Sequence, residues 1–491
     1  MDADPGSERL NVLLAISDDQ SWIHTSVEGS PFVHMPNMDR LASGGYLFTE
    51  GYAASPGCSP SRAALLTGQH HWMIGPAGTH GSSFPAYHET FVDLLEADGY
   101  KVGFTGKGWG PGSWSAGGRD KNPAGVEYNQ VKLDKKPKKG ISDKDYAGNF
   151  EQFLAEREEG EPFFFWYGGH EPHLSYAEGL QSDDELAKVK VPAFLPDTEV
   201  SRSTLLDYAD EIHHFDDHLG RIIALLDEAG ELDNTLIIVT SDNGMPMPRA
   251  KATGYEYGIH VPLVARWGEA AQEGKVVTEP VGFVDLSATI VEAAGLEVPE
   301  QFVGTSLAGM LKGENLELKP DRAVFAGRER QSASRYQNLS YPQRMMRRGE
   351  FLVIWSAKPD RAPAGQGQEI LDGTLGEPHS AYYDIGPSAI KRELLAKRDD
   401  PYFSPFFHLA VDKRPEWQLF NVIEDPDCLN DLSDSPQHAS VFTEYQQQLT
   451  ETLRATGDPR VLGYGQVWED YPRIQGSMRY FPKPENEVDT E

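Results

Sequence analysis

Cysteine is scarce in this sequence, which has only Cys58 and Cys428 among its 491 residues. Two cysteines cannot supply the framework of disulfide bonds that stabilises small secreted folds, so that class of protein is excluded. Cys58 also has an unusual setting, because it lies between glycines and prolines in the segment GYAASPGCSPSRAALLTG. This setting indicates a role for Cys58 other than structural cross-linking.

Long apolar runs and an excess of basic residues are also lacking. Runs such as NVLLAI, PFFFWY and TLIIVT are far shorter than the roughly 20 residues that cross a bilayer, so no membrane-spanning helix is expected. The chain has 44 lysines and arginines against 76 aspartates and glutamates, a net charge of -32, which argues against nucleic acid or an anionic membrane as a partner. The N-terminal segment MDADPGSERLN has no basic region followed by an apolar stretch, so we expect no export signal in this chain.

One short segment departs from the acidic character of the chain. KLDKKPKKG carries five lysines between Lys132 and Lys139. Such a run usually forms a solvated loop, and we favour that interpretation. The alternative is a local patch that attracts a polyanion through long-range electrostatics.

Four apolar segments predict a buried parallel sheet. NVLLAIS, KVGFT, FFFWYGG and TLIIVTS are almost continuously apolar, as expected for strands that are covered on both faces. A long helix is predicted before TLIIVTS, ending at Gly230, and together they form an αβ unit of a doubly wound α/β fold. The apolar positions of this helix include Leu205, Ile212, Leu219 and Leu226.

Two further helices and a change of pattern complete the predicted fold. A helix from about Asn37 to Ser43 is followed by Gly44 and Gly45, which suit a left-handed cap. After residue 318 the chain shows separated strand-like runs, AVFAGRE, FLVIWSA and WQLFNVI. We therefore predict a large α/β unit over residues 1–318 and a smaller α+β domain over residues 319–491. The last helix of that domain has apolar residues at Val441, Tyr445, Leu449 and Leu453.

Polar residues follow each of the four predicted strands. Asp18 and Asp19 come after the first strand, and Asp242 and Asn243 come after the fourth. Because the carboxyl ends of parallel strands meet along one edge, these side chains should lie together, and three close carboxylates repel one another without a cation. An all-oxygen set suits Ca²⁺ or Mg²⁺ rather than zinc. For each segment taken singly, the alternative is a helix cap or a turn. Separate caps and turns do not explain why these side chains would meet at one edge of the sheet.

The segment CSPSRAALLTG predicts a helix that begins near Cys58 and ends at Gly68. Pro60 suits the first turn, and SRAALL is a good helix former. Free N–H groups at a helix N-terminus favour an anion, and Arg62 can bind its oxygens with a bidentate fork. A cysteine phosphatase would place a thiolate here, but only three residues separate Cys58 from Arg62, too few for a phosphate-binding loop. GFTGKG also lacks the spacing of a Walker loop.

CSPSRAALLTG resembles the signature of the type I, formylglycine-dependent sulfatases of the alkaline phosphatase superfamily. The similarity continues, in the family's order, through SDD, MPNMDRLASGGYLF, GFTGKG, EPH, LDNTLIIVTSDNG and KATGYEYGIHVPLV. The resemblance implies a large, mixed and mostly parallel sheet sandwiched by helices, with an antiparallel sheet in the C-terminal α+β domain. SDNGMPMP and SYPQRMMRRGEFLVIW are most similar to the heparan N-sulfatases, or sulfamidases, although Lys251 stands where those enzymes are expected to have arginine.

The resemblance implies that Cys58 is converted to formylglycine by a separate formylglycine-generating enzyme or anaerobic maturase. In the family, one hydroxyl of the hydrated aldehyde attacks sulfur, the alcohol or amine leaves, and the second hydroxyl expels sulfate. The implied cation is Ca²⁺, with Mg²⁺ as the alternative. Its implied ligands are Asp18, Asp19, Cys58, Asp242 and Asn243. The implied catalytic residues are Cys58, Arg62, Lys107, His173 and Lys251.

The implied substrate is a sulfated carbohydrate that carries an O-sulfate or an N-sulfate. Where the family has a histidine two residues after the lysine of TGK, this chain has Trp109, which leaves the acid that protonates the leaving group unassigned. We predict that Trp109 is a stacking platform for a sugar, with core packing as the alternative. His80 and His170 are also predicted to face the substrate, with a turn role as the alternative for His80.

Two other functions remain open at the level of sequence. One is hydrolysis of a phosphodiester or phosphonate monoester by a related enzyme of the same superfamily, and the other is non-catalytic binding of a sulfated glycan. The resemblance also implies a periplasmic or extracellular location. Three histidines on the long predicted helix, His213, His214 and His218, are expected to be solvated rather than to bind a metal.

Overall fold

The computed structural model describes residues 9–135, 137–179, 181–270, 274–314, 318–371 and 374–474. Its core is an eight-stranded sheet, in which only the strand Leu263–Trp267 runs antiparallel to its neighbours. With strands numbered in chain order, the spatial order is β10 (Lys275–Val277), β2 (Tyr46–Phe48), β9 (Leu263–Trp267), β7 (Thr235–Ser241), β1 (Asn11–Ser17), β6 (Phe163–Gly168), β4 (Lys101–Gly106) and β5 (Val126–Glu127).

Four adjacent strands of the sheet, β7, β1, β6 and β4, are the four apolar segments of the sequence. Every residue of β1, β6 and β7 is buried, and β1 pairs in parallel with both β6 and β7. Strands of this kind need apolar residues on both faces because each face is covered by helices. The predicted mixed, mostly parallel sheet is confirmed.

Helices cover both faces of the sheet. Val12, Leu14 and Ile16 of β1 belong to one hydrophobic cluster, whereas Leu13 and Ala15 belong to the other. The first cluster contains α2 (Cys58–Thr67), α3 (Phe91–Ala97), α8 (Phe283–Ala293) and α9 (Ala308–Leu311). The second contains α1 (Pro36–Ser43), α4 (Tyr146–Ala155) and α6 (Glu199–Glu228). Two short helices, α5 (Asp183–Lys188) and α7 (Glu256–Ile259), complete this part of the chain.

The long helix α6 lies where the apolar spacing predicts it, and Gly230 follows its end with φ 72°. The expectation that its three histidines are solvated is wrong for His218, which is 2% exposed. Its ring packs at 5.0 Å from that of Tyr146 in α4, and its Nδ1 accepts a hydrogen bond from the N–H of Ala147. The packing of α4 on α6 therefore buries a face that appears polar in the sequence.

The C-terminal part contains the antiparallel sheet. Its strands are β12 (Ala323–Arg328), β13 (Gln343–Arg348), β14 (Phe351–Ser356) and β17 (Trp417–Asn421), in that spatial order. A three-stranded sheet joins β11 (Val281–Gly282), β3 (Gly51–Tyr52) and β8 (His260–Val261), and β15 (Ile370–Leu371) pairs with β16 (Thr374–Leu375). The helices here are α10 (Ala389–Ala396), α11 (Ser404–Val411), α12 (Ala439–Ala455) and α13 (Val467–Asp470).

The helix predicted from fourfold spacing is α12, and it buries Tyr445, Leu449 and Leu453. The division of the chain at residue 318 stays a prediction. The antiparallel sheet begins soon after it, but Ile390 and Leu394 of α10 belong to the same hydrophobic cluster as α6. No helix among the described residues is long and apolar enough to cross a bilayer.

The end of α1 differs from the prediction of a left-handed cap, because Gly44 has φ -106°. A glycine is needed at the next position for space instead. A Cβ on Gly45 would lie 2.4 Å from the carbonyl oxygen of Ala265 in β9 and 3.0 Å from that of Leu41. The close approach of α1 to β9 therefore depends on Gly45.

The two adjacent glycines provide a matched test of this packing. Gly45→Ala should lower the free energy of unfolding by about 1–3 kcal/mol, because backbone atoms must move to accommodate the methyl group. Gly44→Ala should change it by less than about 0.5 kcal/mol, since its Cβ would meet only the Arg40 carbonyl oxygen, at 3.8 Å. Thermal and denaturant unfolding of both variants measure the difference, and equal losses would contradict the assignment.

Candidate active site

The carboxyl ends of four parallel strands meet at one edge of the sheet. β1 and β7 are in register to their last residues, as are β4 and β6, so the residues that follow these strands lie side by side. This is the edge at which open α/β sheets bind ligands. The residues that follow are Asp18 and Asp19 after β1, Lys107 after β4, His170 and His173 after β6, and Asp242 and Asn243 after β7.

Cys58 is the first residue of α2, as predicted, and its side chain points into this edge. Its Sγ lies 3.3 Å from Oδ1 of Asp18 and 3.2 Å from Nζ of Lys251. Burial, followed by the Asp18 carboxylate, raises the pKa of the Cys58 thiol. The thiol is therefore uncharged near neutral pH, unlike the thiolates that act as nucleophiles in cysteine enzymes.

Three buried carboxylates surround Cys58. Asp18, Asp19 and Asp242 are at most 2% exposed, and each offers an oxygen within 4.8 Å of the others and of Sγ. Asn243 adds an amide whose Nδ2 donates to Oδ1 of Asp19 at 2.8 Å, while its own buried Oδ1 has no hydrogen-bond partner in the described part of the chain. An unpartnered oxygen beside three carboxylates fits the ligand set of a hard cation such as Ca²⁺ or Mg²⁺.

Each carboxylate also has a basic partner. Burial alone would raise the pKa of Asp18, but the charges of Lys107 and His173 and those of other nearby basic groups outweigh it and hold that pKa well below its usual value. Three carboxylates and three permanent positive charges leave the cluster close to electrical neutrality. The pairs are Lys251 Nζ with Asp19 Oδ1 at 2.5 Å, Lys107 Nζ with Asp18 Oδ2 at 2.6 Å and Arg62 Nε with Asp242 Oδ2 at 2.7 Å.

Arg62 connects the start of α2 to the end of β4. Its side chain is fully buried, and Nη1 donates to the carbonyl oxygens of Lys107, at 2.7 Å, and Gly108, at 3.1 Å. Nη2 is buried and has no hydrogen-bond partner in the described structure. Because a guanidinium has only donors, this nitrogen is suited to an oxyanion.

The histidines His80, His170 and His173 line one pocket with Cys58. The side chain of His173 is 45% exposed, its Nδ1 lies 2.6 Å from the carbonyl oxygen of Leu174, and its Nε2 lies 3.7 Å from Oδ2 of Asp19. The Nδ1 contact requires a proton on that nitrogen, so Nε2 is the atom that faces the site. Nδ1 of His80 is buried without a partner in the described chain, and burial lowers the pKa of His80 well below its usual value.

Trp109 does not offer the predicted stacking platform. It is 3% exposed, its Nε1 donates to the carbonyl oxygen of Ser59 at 3.0 Å, and its ring packs edge-on against Phe84 at 5.2 Å. The indole thus belongs to the hydrophobic core beneath α2. Core packing, the alternative interpretation, is what the structure shows.

The pocket above Cys58 has a volume of about 720 Å³. One wall is formed by a loop for which the sequence predicts no site residue, through Gly140, Ser142 and Lys144. The feature of the sequence that draws attention to this loop is the lysine-rich run that ends at Lys139, just before the wall. The described lysines of this run, Lys132, Lys135, Lys138 and Lys139, are exposed, as expected for a solvated loop.

Comparisons with known proteins identify the family of this chain. An ulvan-active sulfatase of Formosa agariphila is 24% identical to the chain, over 92% of the chain and 81% of the relative. Human N-sulphoglucosamine sulphohydrolase is 25% identical, over 94% and 93%. A solved structure of a protein in complex with its substrate D-glucosamine-2-N,6-O-disulfate has a TM-score of 0.66 at 18% identity, and covers 92% of the chain and 99% of its own. The sulfatase family model matches residues 10–296, more than half of the chain, and the chain belongs to the sulfatase family.

Proposed function

We propose that this sulfatase removes an O-sulfate or N-sulfate group from a sulfated carbohydrate, with residue 58 as the nucleophile after its conversion to formylglycine. The observation that carries the proposal is the position of Cys58, at the start of α2, among three buried carboxylates and three basic side chains. The names of the two curated relatives, one active on ulvan and one on N-sulphoglucosamine, support a sulfated sugar as the substrate.

The proposal includes a cation, Ca²⁺ or alternatively Mg²⁺. A bound divalent cation would polarise the nucleophile and screen the approach of two negatively charged groups. The residues that would hold it are Asp18, Asp19, Asp242, Asn243 and modified residue 58. Because the carboxylates would then be shared with the cation, the neighbouring ammonium groups would be freer to bind the anionic substrate.

The basic side chains have a separate role around the sulfate. The free Nη2 of Arg62 and the ammonium groups of Lys107 and Lys251 can donate hydrogen bonds to its oxygens. As the bond from sulfur to the sugar oxygen or nitrogen breaks, negative charge develops on the leaving atom. Donors that are fixed in a buried site stabilise such charge without having to reorganise.

The leaving atom also needs a proton, and the geometry favours His173 over Lys251 as its source. Nζ of Lys251 already contacts both carboxylate oxygens of Asp19 and Sγ of Cys58. His173 is oriented through Nδ1, its side chain is 45% exposed, and its Nε2 faces the site. We therefore assign the role of general acid to His173.

Active protein should carry formylglycine at position 58. Mass spectrometry of the peptide that spans Cys58 detects the modification, and Cys428, the other buried free cysteine, is the internal control that should remain a thiol. Cys58→Ala should abolish turnover because the nucleophile is lost. Full activity in protein that contains only the thiol would refute the mechanism.

Paired substrates separate this function from its closest alternative. The modified protein should hydrolyse an aryl sulfate faster than the matching aryl phosphate or phosphonate monoester. A preference for the phosphonate would favour the related hydrolases of the same superfamily. Absence of turnover on all three, and on sulfated sugars, would favour a non-catalytic glycan-binding role.

Replacement of Asp242 tests the cation site. Asp242→Asn keeps the shape of the side chain but removes a charge, so bound calcium and turnover should both fall. Asp285→Asn is a matched control, because Asp285 is another buried aspartate with an arginine partner, Arg322, and lies outside the site. Elemental analysis measures the metal, and circular dichroism checks folding. Unchanged calcium content in folded Asp242→Asn protein would remove Asp242 from the ligand set.

The general acid is tested by comparing leaving groups. His173→Ala should slow desulfation of a sugar by on the order of 10²–10⁴, because a poor leaving group needs a proton. An activated nitrophenyl sulfate needs little help, so its rate should change much less. Equal losses in kcat on both substrates would instead make His173 a sulfate-binding residue and return the acid role to Lys251.

A further inference from the structure

The basic loop beside the active site stands out in a protein with a net charge of -32. The lysine-rich run 132–139 leads directly into Gly140, Ser142 and Lys144, which form a wall of the same pocket as Cys58. One wall of the pocket therefore directly follows a lysine-rich segment of the sequence. A cleft lined by one sign of charge attracts ligands of the opposite sign.

Lys144 is the basic residue of this loop that lines the pocket. Its Nζ lies 3.1 Å from Nε2 of His170, a second pocket residue. In the described part of the chain, no carboxylate lies within salt-bridge distance of Lys144, that is, within 4.0 Å. An ammonium group has three N–H donors, and the contact with His170 uses one of them. Two donors of a half-buried cation are thus available to a ligand.

His170 positions this ammonium group. Burial, together with the charge of Lys144, lowers the pKa of His170 to about 3, so its imidazole is neutral at physiological pH. A neutral Nε2 accepts the hydrogen bond from Lys144 and holds its Nζ against the pocket wall. Burial and the nearby Lys132 also lower the pKa of Lys144, which is the expected effect on a cation that lacks a close anionic partner.

Two other lysines of the loop are already neutralised. Lys132 pairs with Asp143 at 2.9 Å, and Lys138 pairs with Asp210 at 2.7 Å. These residues lie outside the lining of the pocket above Cys58. The loop thus contains both a lysine with an unsatisfied charge at the pocket and lysines whose charge is satisfied elsewhere.

We propose that Lys144, oriented by His170, forms a second anion subsite that binds an oxyanion of the substrate other than the sulfate to be hydrolysed. The inference rests on the proposed function and deepens it, because it assigns the enzyme to sugars with at least two anionic groups. The second oxyanion is either a carboxylate or a further sulfate ester. A pocket of about 720 Å³ lies within the size range of sites that hold a whole sugar ligand rather than sulfate alone.

Kinetics on matched substrates test the subsite. Lys144→Gln should raise KM by roughly tenfold or more on sugars with two anionic groups, since a charge-assisted hydrogen bond is lost, with kcat little changed. KM for nitrophenyl sulfate, which carries one anion, should not change. Lys144→Arg should retain most of the affinity, and Lys138→Gln is the control from the same loop, with a charge already paired to Asp210.

Two substrate arms identify the second anion. One arm compares a monosulfated disaccharide that contains a uronic acid with its carboxyl-reduced form, and the other compares a disulfated disaccharide with its monosulfated form. If Lys144→Gln removes the preference for the uronic acid over its carboxyl-reduced form, the second anion is a carboxylate. If it removes the preference for the disulfated disaccharide, the second anion is a sulfate ester. Equal KM changes on one-anion and two-anion substrates, or no change on either, would overturn the subsite.

A binding measurement separates failure of the subsite from failure of the proposed function. Calorimetry with the Cys58→Ala variant and the same disaccharides needs no turnover. Adding Lys144→Gln to that variant should weaken binding of the two-anion sugars by roughly tenfold or more. If formylglycine-containing wild-type protein released no sulfate but Lys144→Gln still weakened binding of the two-anion sugars, the proposed function would be wrong and the subsite would be supported. Unchanged binding would overturn the subsite whatever the turnover.

Discussion

The structure of the site depends on three carboxylates buried at one edge of the sheet. Taking Asp18, Asp19 and Asp242 out of water is costly unless each charge is paired and hydrogen-bonded. Arg62, Lys107 and Lys251 supply the pairs, and each comes from a different element: α2, the end of β4 and the segment after β7. Ion pairing of the buried carboxylates therefore holds these three elements together around Cys58.

The sheet makes this concentration of charge possible. The register of β1 with β7 brings the N–H of Asp19 within 3.1 Å of Oδ1 of Asp242, so the backbone also satisfies a carboxylate. The N-terminus of α2 adds a positive dipole at residue 58. Asp18, Cys58 and Lys107 line the pocket together with His173 and Lys144. One pocket thus contains both the groups suited to the chemistry and a lysine suited to recognition of the sugar.

The sequence by itself determined the elements and the chemical types at the site. Apolar runs alone are enough to predict β1, β4, β6 and β7, because parallel strands must be apolar on both faces. Since such strands end at one edge, the order of Asp18, Lys107, His173 and Asp242 along the chain predicts their convergence. The start of α2 at Cys58 follows from local propensity, because Pro60 and Gly68 act on neighbouring residues only.

Only the tertiary structure decided the positions of side chains that do not belong to the aligned ends of the parallel strands. Trp109 follows a strand like the site residues, yet it packs under α2 against Phe84, a contact between segments that local pattern cannot foresee. Gly45 is required by β9, far along the chain, and not by the helix it follows. Lys144 joins the pocket because its loop folds back to His170. Periodicity reports the environment along one element, whereas these residues are placed by packing between elements.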